Sequence, residues 1–279
     1  MIVDCFTFFN EIGLLALRIE ELHEEIDYFV IVEAGQTFAG RKKEFIFEKF
    51  NGDFHKIKNK LIYVKIEKLP PIISDNENSR FWLEAYQRNA IFTGLAQINL
   101  GHDDIVLISD VDEIPSRPAI QQLKAMNFEK DAVAFKQALY YSNIESMPKE
   151  ESWIGTIAIK YKLLGCGMPH EIRTCVRENR EYTIDYIESA GWHLSYFGDS
   201  GAVKYKTANF SHGASDSIEK YDQSAESALN HGGVSKLKPV KYHYKKIHEI
   251  FSSVDYNIPI GMLNSPTKYI NYIMKQPQG

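Results

Sequence analysis

Ile105-Val106-Leu107-Ile108 runs without interruption into Ser109-Asp110-Val111-Asp112-Glu113. Four consecutive branched apolar residues cannot alternate between a core and water. The strand they form needs cover on both faces, as a parallel strand of an α/β sheet has. Tyr28-Phe29-Val30-Ile31-Val32, ending at Glu33, and the run over residues 2 to 9 have the same character. Between those two runs apolar residues recur at Ile12, Leu15, Ile19, Leu22 and Ile26, a 3, 4, 3, 4 spacing that predicts a helix with Asn10 as its cap.

The alternation continues with a strand at 61–66 and a helix over about 79–99 that stops before Gly101. A helix at 117–127 follows, then strands at 132–139 and 154–161, shorter pieces through 214, and helices near 216–230 and 266–275. The fold class expected is α/β, a Rossmann-type mixed sheet flanked by helices with a helical C-terminal segment. Residues 1–235 are expected to form one domain, with the basic segment 236–279 packed on it.

Against 37 acidic residues stand 32 Lys and Arg, a formal charge of −5, which argues against nucleic acid as a partner. Cys5, Cys166 and Cys175 match neither a disulfide framework nor a metal-binding spacing and read as reduced thiols. The start at Met1 shows no basic and apolar leader, and no window approaches the roughly 20 apolar residues that span a bilayer. A cytoplasmic location is the expectation, with peripheral membrane contact left open by Lys236, Lys238, Lys241, Lys245 and Lys246, which interleave with Tyr242, His243 and Tyr244.

Ligands of α/β sheets bind beyond the carboxyl ends of the strands. Asn10 and Glu11, Glu33, and Asp110 with Asp112 all fall at such ends. Two carboxylates two residues apart after a buried strand suit one shared divalent cation, Mg²⁺ or Mn²⁺, with positions left for phosphate oxygens. Asn10, Glu33 and Arg88 are expected at the rim of the same crevice. Glu33 would accept from a base or ribose, and Arg88 would oppose phosphate charge or pair with Glu84 at i,i+4. His193, in Gly191-Trp192-His193-Leu194-Ser195-Tyr196-Phe197-Gly198, sits among aromatics on which a sugar could stack. The alternative for it, and for His212, is a satisfied core histidine.

Five segments carry a resemblance. Asp4-Cys5-Phe6-Thr7-Phe8-Phe9-Asn10-Glu11, Phe29-Val30-Ile31-Val32-Glu33-Ala34, Gln87-Arg88-Asn89, Ile108-Ser109-Asp110-Val111-Asp112-Glu113-Ile114-Pro115 and Gly191-Trp192-His193, in that order over residues 2 to 215, resemble glycosyltransferase family 17. The resemblance implies a GT-A-like fold, a UDP-sugar donor (UDP-GlcNAc favoured), Mn²⁺ or Mg²⁺, inversion at the anomeric carbon, and a glycan or lipid-linked acceptor. It further implies that Asp112 binds the metal and that Asp110 reaches the ribose or a metal-bound water. A histidine from the second half would complete the metal site, with His212 preferred as ligand and His193 on the acceptor side. Candidates for the base are His193, Glu113, Glu188 and Asp199.

Two rivals remain at this stage. A phosphohydrolase of the haloacid-dehalogenase type also places Asp-x-Asp after a buried strand, and Gly198-Asp199 would be its later acidic site. A non-catalytic protein that binds nucleotide sugar or glycan is the other.

Overall fold

In the computed structural model, residues 1–72, 74–127, 129–141, 152–197, 208–209, 258–264 and 268 are described. His212, Asp199, the lysines of 236–246 and the expected helix at 216–230 lie outside them. Of the segment 236–279, only 258–264 and 268 are described.

β1 (Ile2–Phe8), β2 (Tyr28–Ala34), β3 (Leu61–Ile66) and β4 (Ile105–Asp110) lie parallel, in the order β3-β2-β1-β4. The register sets Phe8 beside Glu33 and Thr7 beside Asp110, so the carboxyl ends of three strands share one rim. All four strands are the apolar runs of the sequence, and Cys5, Phe6, Val30, Ile31, Leu107 and Ile108 are fully buried.

α1 (Ile12–Leu22) buries Leu15, Ile19 and Leu22 against one face of the sheet. Asn10 is not its cap. Glu11 holds that position, and its Oε2 accepts from the backbone N–H of Phe9 and Asn10. After β2 come the short α2 (Ile46–Phe50) and a 3₁₀ stretch (Asn51–Lys60). The long helix expected over 79–99 is two helices, α3 (Glu77–Asn89) and α4 (Ile91–Leu95), meeting at Ala90. α4 lies directly on β2 at Gly94, where a Cβ would come within 2.3 Å of Val30.

β4 is followed after two residues by β5 (Glu113–Pro115), then by α5 (Arg117–Ala125), β6 (Ala132–Tyr141), β7 (Ser152–Lys160), a 3₁₀ turn (Tyr161–Gly165), α6 (Pro169–Arg177), β8 (Ile184–Ile187) and β9 (Gly191–Ser195). Among the described residues one sheet runs β3-β2-β1-β4-β7-β6-β9-β5, with β8 beside the start of β6. β5 ends that order, with β7, β6 and β9 between it and its sequence neighbour β4, although only Val111 and Asp112 separate the two in the chain. The second half of the sheet therefore curls back over the end of β4. Gly191 allows the closure: at φ 131° it brings β9 against β5, where a Cβ would sit 2.1 Å from the Ile114 carbonyl oxygen. α7 (Ile260–Asn264) packs Met262 with Ile258 against Leu14 and Leu17 of α1.

No helix among the described residues is long and apolar enough to cross a membrane. The mixed sheet flanked by helices matches the expected α/β class.

Candidate active site

The link Asp110-Val111-Asp112-Glu113 joins the central strand β4 to β5 at the curled end of the sheet, and it is held from below by Arg18. This residue and Asp4 are both fully buried, and they pair through Nε to Oδ2 (2.7 Å) and Nη2 to Oδ1 (2.6 Å). The remaining donors of the guanidinium reach Ser109 Oγ (2.7 Å) and the carbonyls of Asp110 (3.1 Å) and Glu113 (2.8 Å). Helix α1 thus fixes the turn through one side chain.

Gln87, Arg88 and Asn89 connect α3 to the same place. Gln87 Nε2 donates to the carbonyls of Phe8 and Val32 at the strand rim. Arg88 Nη2 donates to Asp110 Oδ1 (2.7 Å) and Glu84 Oε1 (2.8 Å), and its Nη1 lies 2.7 Å from His170 Nδ1. Asn89 Oδ1 accepts from the His170 backbone N–H, in the first turn of α6.

α6 presents His170, Arg173 and Arg177, spaced three and four residues apart on one helical face, to the carboxylates. Arg173 Nη2 donates to both oxygens of Glu113 (2.7 and 2.6 Å) and to Asp110 Oδ2 (3.2 Å). Thr7 Oγ1 donates to Asp110 Oδ1 (2.8 Å) from β1. Arg177 stacks its guanidinium 4.4 Å over the Trp153 ring. Trp153 Nε1 donates to Glu113 Oε1 (2.8 Å), and its ring centroid lies 4.7 Å from that of His193. His193 Nε2 is 3.8 Å from Asp112 Oδ1. The two acids of the turn consequently face different neighbours, Asp110 the arginines and Asp112 the histidine.

The field of this cluster sets its protonation. Burial works to raise the Asp110 carboxyl, but Arg88 and then Arg173 outweigh it and hold the group well below the usual carboxylate range. Glu113 is likewise opposed by burial and by Asp110, and Arg173 brings it below its ordinary value. Burial, with Arg88 beside it, pushes His170 down to about 4, so near neutral pH it is an uncharged acceptor for Arg88.

Several sequence expectations need correction. Glu113 is not placed as a base, since it is buried and both its oxygens are taken by Arg173, with Trp153 and the Asp110 N–H donating as well. Glu188 is exposed and paired with Lys136 on the turn between β8 and β9. Glu33 is fully buried and accepts from Lys43 Nζ (2.5 Å), Tyr63 OH (2.8 Å) and the N–H groups of Ile46 and Phe47 at the start of α2, which leaves it a fold anchor rather than a nucleotide contact. Arg88 is buried, and its two terminal nitrogens go to Asp110, Glu84 and His170, while its Nε has no partner among the described residues. Asn10 stays partly exposed just past the carboxyl end of β1, near Thr7. The ring against His193 is Trp153, while Trp192, the residue before it on β9, points to the opposite face and packs with Leu14, Leu17 and Phe197.

Thr7, Trp153, His170, Arg173 and Arg177 were not singled out by the sequence. The repeat of basic residues on one face of the segment Pro169–Arg177 was the available signal.

Among the described residues no group of three or more metal-ligating side chains converges. Asp110, with 24% of its side chain exposed, keeps an edge open to the crevice, and Asp112 stands beside an imidazole. Hard carboxylate oxygens with a neighbouring imidazole suit Mg²⁺ or Mn²⁺, with the other positions left to water and phosphate. The residues present fit such a cation.

A sequence model of glycosyltransferase family 17 matches residues 1–272. The β-1,4-mannosyl-glycoprotein 4-β-N-acetylglucosaminyltransferase of Homo sapiens is 31% identical over 137 residues, 47% of this chain and 25% of that protein. The Rattus norvegicus enzyme of the same name is 29% identical over 145 residues, 50% of this chain and 26% of its own length. The chain thus matches about a quarter of the length of these curated relatives. Among solved structures, the mannosyltransferase PcManGT from Pyrobaculum calidifontis, in complex with GDP-Man and Mn²⁺, is 13% identical with a TM-score of 0.44, covering 97% of this chain and 85% of that one. S. aureus TarS 1-349 is 13% identical with a TM-score of 0.41, covering 97% and 78%.

Proposed function

The chain belongs to glycosyltransferase family 17, and on that premise we propose that it transfers a sugar, with inversion, from a UDP-sugar to a hydroxyl of a glycan or lipid-linked acceptor. UDP-GlcNAc is the donor favoured, by analogy with the relatives named as N-acetylglucosaminyltransferases. The observation that carries the reading is the Asp110–Asp112 link at the end of β4, where one carboxylate is locked ionised between two arginines and the other faces His193.

In an inverting transfer the acceptor oxygen bonds to the anomeric carbon as the bond to the leaving phosphate oxygen breaks, and the acceptor proton passes to a base. When bound at Asp112, a divalent cation supplies Lewis-acid stabilisation of the leaving diphosphate. Asp110, kept charged and oriented by Arg88, Arg173 and Thr7, offers a fixed acceptor to a ribose hydroxyl or a water of that cation. Such preorganisation leaves little to rearrange when charge develops. His193 belongs to the cation side in this reading, because Nε2 is next to Asp112. This reverses the role expected from the sequence. Glu113 and Glu188 are committed elsewhere, and the remaining base candidate, Asp199, lies outside the described residues.

Membership of a transferase family weighs against the phosphohydrolase alternative. Release of UDP from UDP-GlcNAc with Mn²⁺, assayed beside hydrolysis of simple phosphomonoesters, tests the proposal. Metal-dependent UDP release supports it. Phosphomonoester hydrolysis would support the phosphatase, and nucleotide binding without turnover would support a binding protein.

A further inference from the structure

The three basic side chains on the inner face of α6 are not used alike. His170 is engaged by Arg88, and Arg173 closes on Glu113 and Asp110. Arg177, one turn further on, makes no hydrogen bond and no ion pair among the described residues. Its guanidinium rests on Trp153, whose indole N–H is anchored to Glu113 and whose ring abuts His193, the neighbour of Asp112. Burial draws Arg177 below the usual arginine range, and Arg173 beside it adds to that effect while Glu113 and Asp110 oppose it, so the guanidinium lies within the field of the carboxylate cluster.

A guanidinium offers five N–H donors in a planar fork that matches phosphate oxygens, and an aromatic face holds that fork without consuming its donors. Among the described residues Arg177 is therefore a positioned cation with no anion hydrogen-bonded to it. We propose that Arg177, propped on Trp153, is the phosphate-binding residue of the donor site, taking the diphosphate oxygens of the nucleotide sugar. This rests on the donor reading above. It adds a residue that neither the family resemblance nor the two-carboxylate link assigns. The structural alternative is a cation parked on an indole at a helix C-terminus, where the helix dipole also favours it.

Binding of UDP, uridine and inorganic pyrophosphate to the full chain at fixed Mn²⁺, measured by calorimetry, separates the two. For Arg177→Ala the expected result is that UDP and pyrophosphate weaken by about tenfold to a hundredfold, as loss of a charge-assisted contact entails, while uridine changes by less than about twofold. Arg177→Lys should recover part of the loss. Arg177→Gln, which keeps a planar group on Trp153, serves if the alanine variant is unstable by thermal melting. Unchanged UDP affinity, or equal weakening of UDP and uridine, would overturn the assignment. A wild-type chain that binds no UDP yet binds pyrophosphate through Arg177 would refute the donor reading and leave the anion site standing.

Discussion

Arg173 holds both carboxylate oxygens of Glu113 through a single nitrogen, Nη2, at 2.7 and 2.6 Å, with both residues buried. The glutamate that follows Asp110-Val111-Asp112 is thereby a strut between α6 and the curled end of the sheet. Its charge serves the fold and the orientation of Asp110, whose backbone N–H it also accepts.

Breaking such a pair from one side leaves a buried charge, which costs about 3–5 kcal/mol. Glu113→Ala and Arg173→Met should each lower stability by that order in urea denaturation. The double variant should lose less than the sum, by about 1–3 kcal/mol. A Glu113→Ala protein as stable as the wild type but devoid of transferase activity would restore the glutamate to the list of bases.

Arg18 makes a second, independent prediction. It pairs with Asp4 and holds two carbonyls of the Asp110–Glu113 link. Arg18→Met should destabilise by about 3–5 kcal/mol, because Asp4 is left buried and unpaired. Nucleotide affinity should fall with it, although Arg18 is itself inaccessible to any ligand. Asp4→Leu combined with Arg18→Met should recover stability and not affinity. Full recovery of both would show that the link holds its shape without Arg18.

His170 gives the cluster an acid limb. In the folded chain its imidazole takes a proton only near pH 4, whereas in the unfolded chain it does so near the ordinary value of about 6.5. The unfolded state therefore binds more protons between those limits. The stabilising contribution is complete above about pH 6.5 and is lost as pH falls toward 4. Discounted for the partial exposure of the ring, the loss should be about 1–2 kcal/mol. Urea midpoints measured from pH 7 to pH 4.5 should fall for the wild type and flatten for His170→Gln. Equal slopes would contradict the contact with Arg88. At still lower pH, Asp110 and Glu113, both depressed, extend the same trend as they protonate.

The parallel half of the sheet was readable because each of its strands is a run of apolar residues covered on both faces, and such runs stand out whatever surrounds them. The position of Asp110 at the end of β4 was readable for a related reason, since the apolar run stops there. What the sequence did not disclose lies in tertiary pairing. β8 and β9 span only four and five residues, too few for a period to register. The break at Ala90 carries no Gly or Pro, so no local signal marked it. Glu33 resembled a ligand contact because it ends a strand at the rim, but Lys43 and the first N–H groups of α2 claim it. The segment of α6 read only as one of the shorter pieces; its Ile172 and Val176 are buried in the core, and its Arg173 faces carboxylates 60 and 63 positions earlier in the chain.

The central claim is that Asp112 holds a divalent cation on which nucleotide binding depends. Calorimetry of UDP binding with and without Mn²⁺, for the wild type and for Asp112→Asn, tests it most directly. The wild type should bind UDP more tightly by tenfold or more when Mn²⁺ is present, and Asp112→Asn should bind it equally weakly in both conditions, with an unchanged melting temperature. An Asp112→Asn protein that retains the full Mn²⁺-dependent gain in UDP affinity would contradict the account.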